Sequence, residues 1–169
     1  MSTLLFAWEL GAGFGHLAPY RALCERISAA GHTLVFAARD VLRAQAVFAG
    51  TTIKIVQAPY YDKVIADPIE ESATYAHLLH NSGYSDVPAL TRIVGEWRAL
   101  YEQIKPDLVL IEHSPTALLA LRGFPTTRVL LGNGFYCPPD VYPLPDQRPW
   151  LKTPGKLTTV SGWWRASNG

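Results

Sequence analysis

Cysteine, net charge and long hydrophobic runs are all scarce in this sequence, and each absence excludes a class of protein. Only two cysteines occur, Cys24 and Cys137, and neither lies in a Cys-x-x-Cys or Cys/His spacing, so a disulfide scaffold and a zinc site are not indicated. We expect both to be reduced, buried thiols. With 15 Lys and Arg residues against 14 Asp and Glu, the net charge is +1, which is too balanced to favour a nucleic-acid partner.

No stretch approaches the roughly 20 apolar residues that a transmembrane helix requires. The first apolar run, Thr3–Trp8, lacks a basic flank and continues into Glu9 and glycines, which excludes a secretory signal. We therefore expect no membrane span and a cytoplasmic location. Charged residues make up only 17% of the chain, below the roughly 25% of average soluble domains, so much of the chain must be buried.

Apolar runs alternate with helical stripes along most of the chain. The runs predict five strands: Thr3–Trp8, Thr33–Ala38, Thr52–Gln57, Asp107–Glu112 and Thr127–Gly132. The predicted helices run from Leu17 to Gly31, from the N-cap Asp40 to Ala49, near Glu70–His80, over Leu90–Ile104, and from the N-cap Ser114 and first-turn Pro115 to Gly123. This alternation predicts an α/β fold, a Rossmann-like doubly wound parallel sheet of about five strands.

The composition changes near residue 146, where we place a domain boundary. Six of the 13 prolines fall between Pro138 and Pro154, and the last acidic residue, Asp146, is followed by four basic ones. We predict one Rossmann-like domain over residues 1–146. Residues 147–169 are predicted to form an irregular basic tail that contains proline and tryptophan.

The main candidate site is the glycine-rich loop Glu9–His16, which joins the first strand to the first helix. Its glycines let the backbone approach a ligand, and the helix N-terminus offers free N–H groups. A dinucleotide-binding fingerprint requires G-x-G-x-x-G, but here the third glycine comes one residue early and His16 stands in its place. No Gly-Lys-Ser/Thr follows, so a P-loop is excluded. A tight turn without a ligand explains the glycines equally well.

Topology supplies a partner for His16. In a doubly wound sheet the loops after the first and fourth strands flank the ligand crevice, and these loops contain His16 and Glu112. A carboxylate opposite the imidazole fixes the tautomer and orients the ring as a general base for a substrate hydroxyl. The alternative is that the Glu112 carboxylate points into solvent from the strand end.

Other polar side chains carry weaker signals. His77 and His80 place two imidazoles on one helix face, but no third ligand lies nearby and no Asp-x-Asp pair occurs, so a metal is not indicated. A polar face that lines the crevice is the simpler interpretation. Asn133 and Phe135 follow the fifth strand at the ligand-facing edge, where they contact a substrate or pack the exit loop.

Three segments together resemble the N-terminal half of GT-B glycosyltransferases of the UDP-glycosyltransferase type. They are ELGAGFGHLAPYRALCERISAAGH, KPDLVLIEHSP and LGNGFYCPPDVYPLPDQRPW. The resemblance implies two Rossmann-like domains that face a cleft, the N-terminal one binding the acceptor and the C-terminal one a nucleotide sugar. In many relatives the histidine matching His16 deprotonates an acceptor hydroxyl, an acidic residue matching Glu112 (often Asp) orients it, and the sugar is transferred with inversion. The expected acceptor-binding residues are Gly13, Phe14, Gly15, Tyr60, His77, His113, Asn133 and Phe135.

The sequence departs from that family because no His-Cys/Gly-Gly diphosphate signature follows Trp150. We therefore expect an acceptor-binding half that is inactive alone, with a nucleotide sugar as co-substrate, no other cofactor, a small-molecule acceptor and a separate donor-domain chain as a possible partner. A stand-alone small-molecule-binding or partner-pairing protein without catalysis is one alternative. An NAD(P)-binding domain that uses Arg39 or Asp40 is another.

Overall fold

The computed structural model describes residues 1–132 and 140–146, which fall into two compact units. The first unit, residues 1–60 and 91–132, contains one parallel sheet of five strands in the order β3-β2-β1-β4-β5. The strands are β1 (Thr3–Trp8), β2 (Thr33–Ala38), β3 (Lys54–Gln57), β4 (Leu108–Glu112) and β5 (Thr127–Leu131). This arrangement confirms the predicted Rossmann-like α/β fold, with β1 at the centre of the sheet.

The register of the central strands aligns their carboxyl ends. Trp8, the last residue of β1, pairs with Ala38 of β2 and with Glu112 of β4. The loops that follow these strands therefore leave the sheet at one edge, where α/β folds bind ligands. The near-continuous apolar runs of β1, β2 and β4 are mostly buried, as expected for parallel strands covered on both faces.

The helices are α1 (Arg21–Ala29), α2 (Val41–Val47), α3 (Tyr75–His80), α4 (Val87–Ile104) and α5 (Pro115–Ala120). One face of the sheet packs against α1 and α2. Because strand side chains alternate between faces, Phe6 and Phe36 lie together on this face, with ring centroids 4.4 Å apart. Cys24 of α1 is buried in the same cluster, and burial raises the pKa of its thiol to about 12. Cys137 lies outside the described residues.

The opposite face of the sheet packs against α4 and α5. Trp97 and Tyr101 of α4 are almost completely buried, and the Tyr101 hydroxyl donates to the carbonyl of Ala117 in α5 at 2.7 Å. The helical stripe that predicted the long helix is therefore the side of α4 that contacts the core. This helix also positions the indole of Trp97 near the carboxyl edge of the sheet.

The predicted starts of the first helix and of the third strand are wrong. In both places local hydrogen bonds, either between residues i and i+3 of the backbone or from a side chain to the backbone, replace the regular structure. A short 3-10 turn, Ala18–Tyr20, occupies the start of the predicted first helix, and α1 begins only at Arg21. The third strand starts at Lys54 and not at Thr52. Ahead of it, the Thr51 hydroxyl donates to the carbonyl of Phe48 and accepts from the backbone of Ile53, which keeps this segment in a turn.

Among the described residues, the second unit comprises residues 61–90 and 140–146. In it the predicted helix near Glu70–His80 is shorter than expected, because Thr74 caps α3 by accepting from the backbone N–H of His77. The Asn81 side chain accepts from the backbone of Ile69 and donates to its carbonyl, both at 2.8 Å, which keeps the residues before α3 out of the helix. Asp86 caps α4 through the Ala89 N–H, so α4 starts before the predicted Leu90.

Across residues 1–132 and 140–146, no helix has the length and apolar character needed to cross a lipid bilayer.

Candidate active site

A histidine from the glycine-rich loop and a carboxylate from the last residue of β4 meet at the carboxyl edge of the sheet. His16 Nδ1 lies 2.9 Å from Glu112 Oε1 and 3.0 Å from Oε2. The Glu112 side chain is only 3% exposed and that of His16 is 13% exposed, so the alternative of a solvent-pointing Glu112 is wrong. In the tautomer whose Nδ1–H donates to the Glu112 carboxylate, Nε2 carries the lone pair that can accept a proton.

Two rings stack against the imidazole of His16. The Trp8 ring lies 5.6 Å from it at an interplanar angle of 15°, and the His113 ring lies 5.8 Å away at 28°. Trp8 is completely buried and its indole N–H donates to the carbonyl of Leu10 at 2.7 Å. The stacked rings restrict how far His16 can turn away from Glu112, a role for Trp8 that its place in an apolar strand gave no reason to predict.

Because Gly11 has no side chain, the His16 ring can pack directly against its backbone. Its φ of +85° falls in the left-handed region that favours glycine, and a Cβ at this position would lie 2.1 Å from His16 Nε2. By contrast, a Cβ at Gly13 or Gly15 would meet no atom within 4 Å. The sequence identified a glycine-rich loop, but the spacing could not show which glycine the histidine requires.

Burial changes the pKa values of the two titratable side chains next to His16, those of Glu112 and His113. Burial raises the pKa of Glu112, and the hydrogen bond and charge of His16 partly offset that rise. Burial, with a contribution from His16, lowers the pKa of His113 to about 4. His113 is therefore neutral near pH 7 and stacks against His16 as an uncharged ring.

A second buried carboxylate, that of Glu9, lies at the same edge of the sheet. Glu9 is 1% exposed and accepts from the Thr116 backbone at 2.9 Å, the Thr116 hydroxyl at 2.5 Å, the Ala117 backbone at 3.2 Å and the Trp97 indole at 3.1 Å. Burial raises its pKa to about 7, although these hydrogen bonds act in the opposite direction. Sequence reasoning missed this residue, because nothing in the pattern shows that an acidic residue after a strand turns inward.

The predicted N-cap of α5 is confirmed in its position, but its side chain does not make the capping hydrogen bond. Ser114 occupies the N-cap position, but its side chain makes no capping hydrogen bond, and its buried hydroxyl has no hydrogen-bond partner among the residues that the structure describes. The Glu9 carboxylate instead accepts from the first free N–H groups of the helix, at Thr116 and Ala117. Pro115 occupies the first turn as predicted.

The two aromatic residues of the first unit that were predicted to bind the acceptor, Phe14 and Tyr60, lie beside arginine side chains. Phe14 is 57% exposed, with the Arg43 guanidinium 5.3 Å from its ring centroid. The Arg39 guanidinium lies 4.5 Å from the centroid of Tyr60. Asp40, considered above as a cofactor ligand, caps α2 by accepting from the Arg43 backbone at 2.9 Å. These contacts give the loops an aromatic and basic surface.

The histidines of the second unit make local contacts. His77 Nδ1 accepts from the backbone N–H of Ala73 at 3.1 Å, and His80 Nε2 lies 3.0 Å from the carbonyl of Asp67. Among the described residues, no group of three or more His, Cys, Asp and Glu side chains could hold a metal ion. The predicted Asn133 and Phe135 lie outside the described residues.

A parallel sheet with a part-buried histidine and a buried carboxylate at its carboxyl edge defines a Rossmann-like domain with a candidate acid–base site. No protein-family model matches the sequence, and no curated protein sequence matches it significantly. Solved glycosyltransferases do match the structure. SsfS6, a glycosyltransferase of Streptomyces sp. SF2575, aligns over 77% of this chain and 39% of its own, with 25% identity and a TM-score of 0.51.

Two further structures show the same relationship. The glycotransferase of kitacinnamycin aligns over 76% of this chain and 30% of its own, with 17% identity and a TM-score of 0.52. The spinosyn rhamnosyltransferase SpnG aligns over 77% and 34%, with 20% identity and a TM-score of 0.51. The chain therefore has the fold of a GT-B glycosyltransferase domain, which confirms the predicted resemblance at the level of the fold. It spans about a third of the length of these structural neighbours.

Proposed function

We propose that this chain is the acceptor-binding half of an inverting glycosyltransferase, which transfers a sugar from a nucleotide-sugar donor to a hydroxyl of a small molecule. The observation that supports it most directly is the contact of His16 Nδ1 with Glu112 at 2.9 Å, in a fold shared with glycosyltransferases. A general base needs an oriented ring whose second nitrogen can accept a proton, and this pair has that arrangement.

The proposed reaction is a single displacement at the anomeric carbon of the donor sugar. His16 Nε2 accepts the proton of the acceptor hydroxyl while its oxygen forms a bond to the anomeric carbon. The bond from that carbon to the diphosphate oxygen breaks, and the nucleoside diphosphate leaves with the electron pair. Glu112 stabilises the imidazolium that forms, as the orienting carboxylate does in other His-based sites.

The acceptor is proposed to contact the aromatic and basic surface of the loops. Phe14 and Tyr60, each beside an arginine, suit an aromatic or otherwise apolar alcohol. His113 and the glycines Gly13 and Gly15 would lie nearest the acceptor because they belong to the same loops as His16 and Glu112. The donor site is proposed to come from a second domain, either in the same protein or in a separate chain.

The experiment that tests the function is a comparison of histidine variants in a complete enzyme. Residues 1–146 are joined to, or assayed with, a donor domain, and kcat is measured with a nucleotide sugar and a panel of phenolic acceptors. We expect His16→Ala to lower kcat by roughly 10²- to 10⁴-fold, the usual contribution of a general base, with little effect on KM.

His32→Ala is the matched control, because His32 Nδ1 accepts from the backbone of Ser2 at the amino end of the strands. It should leave kcat unchanged. An unchanged kcat for His16→Ala would refute the role of His16. Acceptor binding without any turnover in the complete protein would instead favour a binding or partner-pairing protein.

A further inference from the structure

We propose that Glu9 is a positioning residue for the base pair, which holds the loop that carries His16 against the end of β4 that carries Glu112. This inference rests on the proposed function, since it concerns the geometry of the proposed base. Glu9 follows β1 directly, and Thr116 lies four positions beyond Glu112. The Glu9 carboxylate therefore connects the two segments whose relative position decides whether His16 can contact Glu112.

Within the described part of the chain, this carboxylate accepts four hydrogen bonds from donors of buried residues. Two donors are backbone N–H groups at the start of α5, one is the Thr116 hydroxyl and one is the Trp97 indole. Backbone and indole N–H groups cannot turn to follow a displaced acceptor. A small movement of Glu9 would therefore lengthen several bonds together, and the carboxylate is consequently held in one place.

The main chain around Glu9 is held by two further hydrogen bonds, one from the β2 side and one to the β4 side. The carbonyl of Glu9 accepts from Arg39 Nη1 at 2.9 Å, and the next N–H, that of Leu10, donates to the carbonyl of His113 at 3.0 Å. His113 is the residue after Glu112, and its φ of 41° is uncommon for a residue with a side chain. The two loops are thus joined by a backbone bond as well as by the carboxylate.

Glu9 does not contact the reacting groups in this arrangement. It acts on His16 through the backbone of the glycine-rich loop, whereas Glu112 contacts the imidazole directly. A positioning group must be held to about 0.5 Å to keep a catalytic constellation productive. Four bonds to a carboxylate that is 1% exposed meet that requirement better than a surface contact would.

The test uses the whole 169-residue chain with 15N-labelled histidine and measures the ring signals of His16 by NMR, assigned with a His16→Gln variant. In the parent protein we expect one tautomer with a protected Nδ1 proton. In Glu9→Gln, we expect exchange of that proton with solvent to be roughly 10- to 100-fold faster, as for the loss of one hydrogen bond to a charged group. Thr116→Val, which removes only the hydroxyl donor, should change the same signals in the same direction.

Asp107→Asn is the matched control. The Asp107 carboxylate also accepts from a backbone N–H of β1, that of Thr3 at 2.8 Å, but at the amino ends of the strands. It should leave the His16 signals unchanged. Unchanged His16 signals in both Glu9→Gln and Thr116→Val would overturn the proposal, as would an equal change in Asp107→Asn, which would indicate general destabilisation.

Thr116→Val keeps the test decisive if Glu9→Gln does not fold. Because the NMR measurement needs neither donor nor acceptor, its outcome is separate from that of the kcat experiment. A changed His16 signal combined with normal kcat in His16→Ala would leave Glu9 as a positioning residue and reject the proposed function.

Discussion

At the scale of single residues, Gly11 determines where the His16 ring can lie. Gly11→Ala places a methyl group where the ring now sits, 2.1 Å from Nε2, at a φ of +85°. We expect a loss of about 1–2 kcal/mol of stability from the left-handed backbone alone, together with displacement of His16 from Glu112. Denaturant unfolding measures the first effect and the His16 ring signals measure the second.

Gly15→Ala is the control for that substitution. A Cβ at Gly15 meets nothing within 4 Å, and its φ lies outside the left-handed region. Its free energy of unfolding should stay within about 0.5 kcal/mol of the parent value, with unchanged His16 signals. Equal effects of the two substitutions would show that the His16 ring does not depend on Gly11.

The titration of Glu9 affects stability near neutral pH. Burial raises its pKa from the usual 4.5 to about 7, so between these values the folded protein binds more protons than the unfolded chain. Stability from this group is therefore fully present below pH 4.5 and is lost as pH rises towards 7. The total is about 3 kcal/mol, because each pKa unit corresponds to about 1.4 kcal/mol.

Glu9→Gln isolates the contribution of Glu9 to the pH dependence of stability, because glutamine does not titrate. The free energy of unfolding of the parent protein minus that of Glu9→Gln should fall by this amount between pH 4.5 and pH 7.5 in denaturant titrations. His113, whose pKa is lowered to about 4, acts in the opposite direction but is present in both proteins and cancels. A difference that is constant with pH would contradict the expected titration of Glu9.

How far the sequence predicted the site depends on the kind of residue. Topology placed His16 and Glu112 on neighbouring loops, and the structure brings them into contact; their catalytic roles stay predictions. Trp8, Gly11 and Glu9 could not be predicted as neighbours of this pair. Their contribution depends on ring stacking, on a missing Cβ and on the direction of one side chain, none of which a residue pattern encodes.

At the scale of elements, two helix caps that look alike in sequence differ in the structure. Asp40 accepts from the Arg43 backbone at 2.9 Å, whereas Ser114 makes no capping hydrogen bond. Asp40→Ala should cost about 1 kcal/mol, as is typical of a lost N-cap. Ser114→Ala should cost much less, since the hydroxyl that it removes has no partner among the described residues.

Chemical denaturation of the two alanine variants measures both costs. An equal loss in the two would mean that Ser114 caps α5 in solution and that Glu9 does not replace it. The unsubstituted protein provides the reference, and the slope of the denaturation curve checks that neither variant changes the surface exposed on unfolding.

Hydrophobic patterns predicted the elements better than their ends. All five strands and the long α4 follow from apolar runs and a helical stripe. Burial leaves a continuous apolar signal in β1, β2 and β4, whereas β3 and β5 keep apolar runs although they are more exposed. The ends depend on single hydrogen bonds. Hydrogen bonds of Thr51 keep the residues before Lys54 out of β3, and those of Asn81 keep the residues before Tyr75 out of α3. Such bonds from side chains to the backbone compete with regular structure, and hydrophobic periodicity does not reveal them.

At the scale of the whole molecule, the chain shares its fold with one domain of the glycosyltransferases described above. It spans 30–39% of their length. The isolated chain should therefore form negligible product from a nucleotide sugar and a phenolic acceptor, because positioning both reactants supplies much of the rate enhancement. Mass spectrometry of the reaction mixture measures the product.

An active glycosyltransferase assayed with the same donor and acceptors shows that the conditions permit turnover. Clear product formation by the isolated chain at a comparable rate would contradict this expectation. It would also show that the residues of this chain suffice to hold a donor.

The bonds that assemble the site join residues far apart in the chain: 96 positions separate His16 from Glu112, and 107 separate Glu9 from the Thr116 hydroxyl. During synthesis the histidine therefore exists for some time before its partner does. At about 5–20 residues per second, this interval is roughly 5–20 s. Contacts of such long sequence separation also form late and slowly. A nascent chain is thus expected to acquire its candidate base only after α5 has emerged, and synthesis stalled before Thr116 should leave the glycine-rich loop open to proteases.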